Sequence, residues 1–220
     1  MTGQRLPREL RDALPTDAAR TWELLAARLP DALYLGGGAA AALRLRHRVS
    51  QDLDFFYHRG AVDLEQLEEG LSELGFAVTH RAPGTLRGVV GATKVEFLHA
   101  DQVRPQRLLE APDTIGGLRV AGLKDLMAMK LKVLAERGEL RDYYDVMRIE
   151  QDGGVSVEDG IAYYLERYGL DGASAALTHL IRALGHLGDV DDDEAVPMRK
   201  ASLAAWWGRR QARVVANLGR

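Results

Sequence analysis

A triple glycine at positions 36–38 limits the fold of this chain more than any other feature. It follows the apolar run ALYL, which predicts a buried strand, and precedes an alanine- and leucine-rich stretch at 39–45, which predicts a helix. Glycine permits a sharp turn and lets backbone N–H groups approach a phosphate, and the N-terminus of the following helix adds partial positive charge. The order of strand, glycine turn and helix therefore predicts an α/β arrangement that can hold an anion at the turn.

The next segment, DLDFF, predicts a strand that carries two acids. Asp52 and Asp54 are two residues apart, so on a strand they share one face, while Leu53 and Phe55 face the opposite layer. Two carboxylates so close repel each other unless a cation lies between them. Mg²⁺ (or Mn²⁺) suits oxygen ligands and is commonly completed by substrate phosphates, so the pair favours phosphoryl or nucleotidyl transfer. The alternative is an ordinary Asp-x-Asp at a strand end or turn.

The first half of the chain also carries signals for two further helices and for three further strands. Thr16 and Asp17 are good N-cap residues for a first helix, and an amphipathic helix is predicted at 62–74. Turn signals separate the strands that follow. These strands are predicted at 76–80, 85–90 and 94–98.

After about residue 120 the apolar residues recur at helical spacing. The predicted helices are 124–137, 139–151, 157–169, 173–184 and 197–218. We therefore predict an α/β (α+β) fold, with a mixed-sheet core domain at 1–120 and a helical C-terminal domain at 121–220.

Composition excludes several classes of protein. The net charge is −3, with 29 basic and 32 acidic residues, so any contact with nucleic acid has to come from a local patch. The absence of cysteine excludes disulfides, thiolate zinc sites and cysteine nucleophiles. The N-terminus lacks the apolar core of a signal peptide, and no apolar run is long enough to span a bilayer. We expect a cytoplasmic protein without membrane contact.

The segment at 36–56, GGGAAAALRLRHRVSQDLDFF, resembles the signature of the nucleotidyltransferase superfamily, which has the DNA polymerase β-like fold. It is more similar to the AbiEii/AbiGii toxin family, whose members run Gly-Gly, a helix, His-Arg, a serine and then Asp-x-Asp-Phe-Phe. The matching residues are Gly37, Gly38, His47, Arg48, Ser50, Asp52, Asp54, Phe55 and Phe56. The resemblance implies a nucleotidyltransferase core in which the glycines, His47, Arg48 and Ser50 contact the nucleotide. Ala39 departs from the family, which often has a small hydroxyl residue there.

The resemblance also implies a third acid on a neighbouring strand, and Glu96 in KVEFL is the best candidate. It is a charge within an otherwise apolar strand, where it needs a partner. As a metal ligand beside Asp52 and Asp54, it would bind a second ion and help to activate a hydroxyl as a base. The alternative partner is Lys94 or an arginine. Asp101 and Asp113 are predicted in loops and are weaker candidates.

A second segment, 123–146, is similar to the same family. Lys130 and Arg137 are seven residues apart and would share one helix face. Arg141, Asp142 and Asp145 open the next helix. By resemblance, Lys130 binds the nucleotide phosphates with Arg137 and Arg141 nearby, and one of the two acids orients it or positions the acceptor. A solvated, charged helix face is the alternative.

Two further basic groups have alternative interpretations. Arg44 and Arg46 are interpreted as a solvated helix end, although Arg44 and Arg48, four apart, would share a helix face. The last helix has Trp206 and Trp207 among basic residues, and it can either contact RNA or pack onto the domain with wet arginines. Its basic residues are Arg199, Lys200, Arg209, Arg210, Arg213 and Arg220.

The expected reaction is attack by an acceptor hydroxyl on the α-phosphate of a nucleoside triphosphate. The family resemblance implies a toxin of a toxin–antitoxin or phage-defence pair that acts on RNA, with tRNA as the expected acceptor and an antitoxin protein as partner. Two alternatives remain: transfer to a small molecule such as an aminoglycoside or to a protein hydroxyl, and a non-catalytic nucleotide-binding module, which Ala39 makes conceivable.

Overall fold

The structure is a computed structural model that describes residues 5–101, 106–172 and 175–218. Contacts group the chain into two units, Met1–Gln106 with Glu110–Gly122, and Arg107–Leu109 with Leu123–Arg220. We call them the sheet unit and the helical unit. The predicted order of a mixed sheet followed by helices is confirmed. The domain boundary at 120/121 stays a prediction.

The sheet unit is built around one mixed sheet of seven strands, in the order β3-β4-β5-β2-β1-β7-β6. Its elements are a 3₁₀ helix (Arg8–Ala13), α1 (Thr16–Ala26), β1 (Tyr34–Leu35), α2 (Gly37–Leu45), β2 (Leu53–Tyr57), α3 (Leu64–Ser72), β3 (Phe76–Ala82), β4 (Thr85–Val90), β5 (Thr93–His99), β6 (Asp113–Ile115) and β7 (Leu118–Val120). β2 pairs in parallel with β5, and β1 with β7, whereas the other neighbours are antiparallel.

The central strand β2 has one buried and one open face. Leu53, Phe55 and Tyr57 are buried, while Asp54 and Phe56 are partly exposed, as the period of two predicts. Each buried side chain of this size contributes about 2 kcal/mol. A shift of one residue in register would put the acids into the core, so the apolar residues decide which way the acids face.

β5 repeats this alternation beside β2. Val95 and Phe97 are buried, Lys94 is exposed and Glu96 is partly exposed. The rings of Phe55 and Phe97 stack with centroids 5.6 Å apart, which holds the two strands in register on the buried face.

A hairpin that the sequence patterns did not predict, β6–β7, lies at one edge of the sheet. Gly116 and Gly117 form its turn, with φ of +52° and +88°. Two central residues with positive φ are typical of a type I′ hairpin turn, so the Gly-Gly pair was the available signal. Asp113, predicted in a loop, instead begins β6.

Arg44 connects α2 to this hairpin, so its interpretation as a solvated helix end was wrong. Nε donates to the Ala121 oxygen at 2.6 Å, and Nη2 donates to the Val120 oxygen at 2.9 Å. Nη2 also pairs with Asp113 Oδ2 at 2.8 Å. Arg46 follows the helix in the left-handed conformation and is exposed.

Some predicted helix ends were also wrong. Pro15, not Thr16 or Asp17, occupies the N-cap of α1. α2 begins at Gly37, two residues before the predicted start, because the glycines form its first turn.

The helical unit contains α4 (Leu123–Glu136), α5 (Leu140–Gly153), α6 (Val157–Tyr168), α7 (Ala175–Leu184) and α8 (Lys200–Leu218). α4 is buried along most of its length and packs against α5, α6 and α7. The predicted start of the fourth helix, at 173, lies outside the described residues. The last helix begins at Lys200, three residues later than predicted.

A buried ion pair ties residues 107–109 to this unit. Arg167 pairs with Asp125, and both side chains are almost completely buried. Asp125 Oδ1 accepts from the Leu109 N–H at 3.0 Å, and Arg167 Nη1 donates to the Arg107 oxygen at 3.3 Å. Removing either charge would leave the other buried and uncompensated, which is costly.

α8 is held onto the unit by Trp207 and Arg210. Trp207 is fully buried, and its Nε1 donates to the backbone carbonyl oxygen of Tyr143 at 3.1 Å. Arg210 donates from Nε to Glu150 at 2.8 Å and from Nη1 to Glu158 at 3.0 Å. Packing of this helix through tryptophan is therefore confirmed.

The expectation that the arginines of this helix are exposed to solvent was wrong for Arg210, which is buried. It is confirmed for Arg209 and Arg213, which are exposed. Arg220 lies outside the described residues. RNA contact by α8 stays a prediction. Within the described ranges, no helix combines the length and apolar character that a membrane crossing needs.

The Arg210–Glu158 pair predicts a pH-dependent stability of the helical unit. The hydrogen bond from Arg210 lowers the pKa of the Glu158 carboxyl from 4.5 to about 2. A carboxyl whose pKa is lower in the folded state stabilises the fold above its unfolded pKa, and this stabilisation is lost as the pH falls from 4.5 toward 2. We expect Glu158→Gln to lower the free energy of unfolding by about 1–2 kcal/mol at neutral pH. Urea unfolding monitored by circular dichroism measures this difference.

Acidification should reduce the difference in the free energy of unfolding between Glu158→Gln and the wild type. Asp191→Asn is the matched control, because Asp191 is an exposed acid of the same unit with no ion pair to any residue that the structure describes. A gap that stays constant down to acidic pH would contradict this account of the ion pair.

Candidate active site at the glycine turn

The glycine turn is attached to the acid-bearing strand by a backbone hydrogen bond. β1 leads into Gly36, the N-cap of α2. The Gly36 N–H donates to the backbone carbonyl oxygen of Asp54 at 2.9 Å. Gly37 follows with φ of +60°, in the left-handed region that favours glycine. The beginning of α2 and the middle of β2 are therefore held side by side.

The Asp54 carboxylate lies directly against Gly37. A Cβ added to Gly37 would clash with Asp54 Oδ2 and lie 3.3 Å from Asp54 Cγ. Glycine is needed here for two reasons, the backbone conformation and the close approach of the carboxylate. The predicted strand acid and the predicted anion-binding turn thus meet at one point.

Gly38 is packed against Arg48 and Ser50. A Cβ at Gly38 would lie 2.8 Å from Arg48 Nη2 and 3.0 Å from Ser50 Oγ. Arg48 and Ser50 are each 8% exposed. The backbone N–H of Ser50 donates to the Ala13 oxygen at 3.1 Å, which fixes the loop against the 3₁₀ helix.

The expectation that Arg44 and Arg48 share a helix face was wrong. α2 ends at Leu45, and the loop after Arg46 leads back to the first turn of α2. Arg48 therefore lies at the N-terminus of the helix, although in sequence it follows the C-terminus. His47, the other matched residue of this loop, is also buried.

Ala39 is fully buried within the first turn of α2, as are Ala40, Ala41 and Ala42. A hydroxyl at position 39 would therefore be packed among other atoms rather than exposed. The backbone of the turn is unaffected by this departure from the family pattern.

Asp52 immediately precedes β2 and is partly exposed. It forms no ion pair or side-chain hydrogen bond with any residue in the described part of the chain. Leu53, between the two acids, is fully buried. Asp52 is thus a carboxylate that a cation can approach without displacing a protein partner.

Glu96 lies next to Asp54 on the open face, because the two residues are partners in the parallel pairing of β2 and β5. Its side chain is 28% exposed, and Oε2 forms an ion pair with Arg87 Nε at 3.1 Å. Arg87 comes from β4, on the side of β5 away from β2. The arginine partner weighed as an alternative is therefore present, while the metal role of Glu96 stays a prediction.

The donor set fits a divalent cation that uses few protein ligands. In the ranges that the structure describes, no three His, Asp or Glu side chains are grouped as a set of metal ligands. Mg²⁺ is commonly held by one or two carboxylates, with substrate phosphates and water completing its coordination. Asp52 and Asp54 can supply those carboxylates, and Glu96 would have to exchange Arg87 for the metal.

Lys130 in the helical unit is held by both of its candidate partners. Nζ lies 2.8 Å from Asp142 Oδ1 and 2.7 Å from Asp145 Oδ2, and Lys130 is 6% exposed. Asp142 Oδ2 also accepts from the Glu139 N–H at 3.2 Å, which caps α5. Two carboxylates therefore fix the position of the Lys130 ammonium.

The shared helix face of Lys130 and Arg137 stays a prediction, because the Arg137 N–H still donates to the backbone oxygen of Val133, four residues earlier. α4 ends at Glu136, and Arg137 lies one residue beyond it, paired with Glu139 at 2.5 Å. Arg141 pairs with the same carboxylate. Both arginines are well exposed, so they lie at the surface of the helical unit.

Arg87 is the residue near the candidate acids that the sequence patterns did not identify. The available signal was its position in a predicted strand, but the strand pairing that places it beside Glu96 cannot be read from local periodicity.

One relative is similar to this chain over part of its length. A protein from Aquifex aeolicus (strain VF5), described as uncharacterised, is 28% identical over 130 residues, which are 57% of this chain and 61% of that protein. The chain thus spans less than two thirds of that relative's length.

Two solved structures are similar across nearly the whole chain. MenT4, a nucleotidyltransferase toxin from Mycobacterium tuberculosis H37Rv, has a TM-score of 0.52 at 19% identity, covering 95% of this chain and 86% of that chain. JHP933 from Helicobacter pylori has a TM-score of 0.54 at 16% identity, covering 94% of this chain and 95% of that chain. At these identities the likeness shows the fold, which is of the nucleotidyltransferase type.

A family model described as "Nucleotidyl transferase AbiEii toxin, Type IV TA system" matches residues 23–213. The match includes the glycine turn, Asp52, Asp54, Glu96 and the Lys130 triad, and it confirms the resemblance drawn from the sequence. With most of its length matched, this chain belongs to the AbiEii nucleotidyltransferase toxin family.

Proposed function

We propose that this chain transfers a nucleoside monophosphate from a nucleoside triphosphate to an acceptor hydroxyl, with Mg²⁺ or Mn²⁺ as cofactor. The acceptor we propose is RNA, with the tRNA 3′ end as the first choice. The chain would act in the cytoplasm as the toxin of a toxin–antitoxin pair, with an antitoxin protein as its partner. The observation that carries the proposal is the Asp54 carboxylate lying against Gly37 in the first turn of α2.

This contact places two opposite demands on a ligand. The N-terminus of α2 attracts anions through its backbone N–H groups and partial positive charge. The Asp54 carboxylate repels them, and Asp52 adds to the repulsion. A phosphate chain with a bound divalent cation satisfies both, because the cation faces the carboxylates and the phosphate oxygens face the turn. A nucleoside triphosphate with its metal is such a ligand.

In the proposed reaction, the acceptor oxygen forms a bond to the α-phosphorus, and the bond from that phosphorus to the pyrophosphate oxygen breaks. The backbone N–H groups of Gly37 and Gly38 bind phosphate oxygens, with Arg48, Ser50 and His47 behind them. The acceptor proton passes to a carboxylate, for which Glu96 is our choice. Asp52 and Asp54, with Glu96, would hold the metal, which neutralises charge on the phosphates and lowers the pKa of the acceptor hydroxyl.

We assign Lys130 to the nucleotide phosphates, with Arg137 and Arg141 as supporting cations. Asp142 and Asp145 hold the Lys130 ammonium in place, and they compete with phosphate for it. A lysine on the leaving pyrophosphate would stabilise the negative charge that develops there.

Asp54→Asn is the direct test of the site. The amide keeps the shape of the side chain but removes the charge that holds the metal, so transfer should fall by at least about 100-fold. Glu69→Gln is the matched control, because Glu69 is an exposed acid on α3. The measurement is transfer of label from each α-labelled nucleoside triphosphate to tRNA, a protein mixture or an aminoglycoside.

Label in tRNA with the wild type and Glu69→Gln, but not with Asp54→Asn, supports the proposal. Label in protein or aminoglycoside would instead establish one of the other acceptors. Nucleotide binding without any labelled product identifies a non-catalytic module, and equal transfer by Asp54→Asn rejects the site.

Gly37→Ala tests the close approach of Asp54, and Gly91→Ala is its control. Both glycines have similar positive φ, +60° and +58°, so both substitutions introduce backbone strain of about 1–2 kcal/mol. Only the Cβ at position 37 meets Asp54, because nothing lies within 4 Å of a Cβ at position 91. We expect both variants to lose stability in thermal unfolding, and only Gly37→Ala to lose label transfer. Equal activities in the two folded variants would mean that the contact is not used.

A comparison of Glu96→Gln with Arg87→Gln separates the two roles of Glu96. If Glu96 binds the metal or accepts the proton, Glu96→Gln should reduce transfer at saturating RNA by about 100-fold, while Arg87→Gln, which releases Glu96, should reduce it far less. Small and equal losses would show that Glu96 is only the partner of Arg87. Transfer rates as a function of Mg²⁺ concentration provide the measurement.

A further inference from the structure

The open face of the sheet carries cations beside the candidate acids. Lys94 on β5, Arg87 on β4 and His80 on β3 point to this face, as the alternation and register of the strands require. We call these three residues the basic strip. His80 is cationic only when protonated, whereas Lys94 and Arg87 carry permanent charge at neutral pH.

The strip continues directly from the acids. His80 pairs with Arg87, Arg87 with Glu96, and Glu96 with Asp54, so one row crosses β3, β4, β5 and β2. Lys94 lies two residues before Glu96 on the same face. Three strand spacings separate Asp54 from His80, about 14 Å in all. The strip therefore extends well beyond the reach of a single phosphate group at Asp54.

The strip is exposed and its charge is only partly neutralised. Arg87 is 47% exposed in spite of its ion pair with Glu96. Lys94 and His80 are exposed, and neither has an ion pair with a residue that the structure describes. Arg81, by contrast, points to the other face, where it pairs with Glu68 of α3.

The charges on this face are separated rather than mixed. β3 and β4 contain no Asp or Glu, so the acids of the face lie only toward β2. The neighbouring side chains on the same face of β3 and β4 are uncharged: Ala77, Val89 and Thr85. With a net charge of −3 for the whole chain, this is a local positive area beside a negative centre.

We propose that the basic strip binds the phosphate backbone of an RNA acceptor while its terminal hydroxyl lies at Asp54. This inference rests on the proposed function and specifies the surface that the acceptor uses. A polyanion gains from every cation along the strip, and 14 Å corresponds to about four stacked nucleotides. A polycationic aminoglycoside would be repelled there.

The test measures RNA binding and label transfer separately. For Lys94→Gln we expect weaker binding of a synthetic single-stranded RNA. The slope of the logarithm of the association constant against the logarithm of the salt concentration should be shallower by about 0.7, which corresponds to the loss of one phosphate contact. Lys94→Glu should bind more weakly still, and Lys94→Arg should restore binding. In label transfer, the KM for RNA should rise while kcat and the KM for the nucleotide stay unchanged, as expected for uniform binding.

Arg20→Gln is the matched control, since Arg20 is an exposed cation on α1, outside the strip. Arg87 is left intact, because its substitution would also release Glu96. The proposal would be overturned if Lys94→Glu kept the wild-type RNA affinity and its dependence on salt concentration. It would also be overturned if Arg20→Gln lost as much RNA affinity as Lys94→Gln. If the wild type binds RNA through the strip but labels no RNA, the proposed reaction fails while the binding surface stands.

Discussion

The contact between the Asp54 carboxylate and Gly37 is the constraint on which the candidate site depends. It places a fixed negative charge at the positive end of α2, where an anionic substrate would otherwise bind unaided. The hydrogen bond from Gly36 to the Asp54 backbone holds this arrangement, and the buried face of β2 prevents the acids from turning inward. In the proposed function a divalent cation would resolve this conflict of charges, because it would lie between the carboxylates and the phosphates.

Three arginines connect segments that are distant in sequence. Arg44 joins α2 to β7, Arg167 holds residues 107–109 on the helical unit, and Arg210 fastens α8. Each of them meets carboxylates or backbone oxygens, as a buried guanidinium must. Arg87 differs, because its carboxylate partner is itself a candidate catalytic group. In the proposed function Glu96 would have to leave this ion pair before it could bind a metal.

Local periodicity predicted the elements that matter for the site. The strands β3, β4 and β5 and the helices α4, α5 and α6 repeat their apolar residues often enough to be read along the chain. β6 and β7 are only three residues each, too short for a period, and only the Gly-Gly turn could indicate them. The position of Asp54 on the open face followed from the alternation of β2, because successive side chains of a strand point to opposite faces.

The sequence by itself determined the glycine turn, the acid strand and the membership of the family, because all three depend on residues close together in the chain. Only the tertiary structure decided that Arg48 lies against Gly38, that Arg87 meets Glu96 and that Lys130 is shared by Asp142 and Asp145. These contacts depend on the path of a loop, the register between strands and the packing of one helix on the next. Such long-range choices are made by the burial of apolar surface over the whole unit, and no local pattern records them.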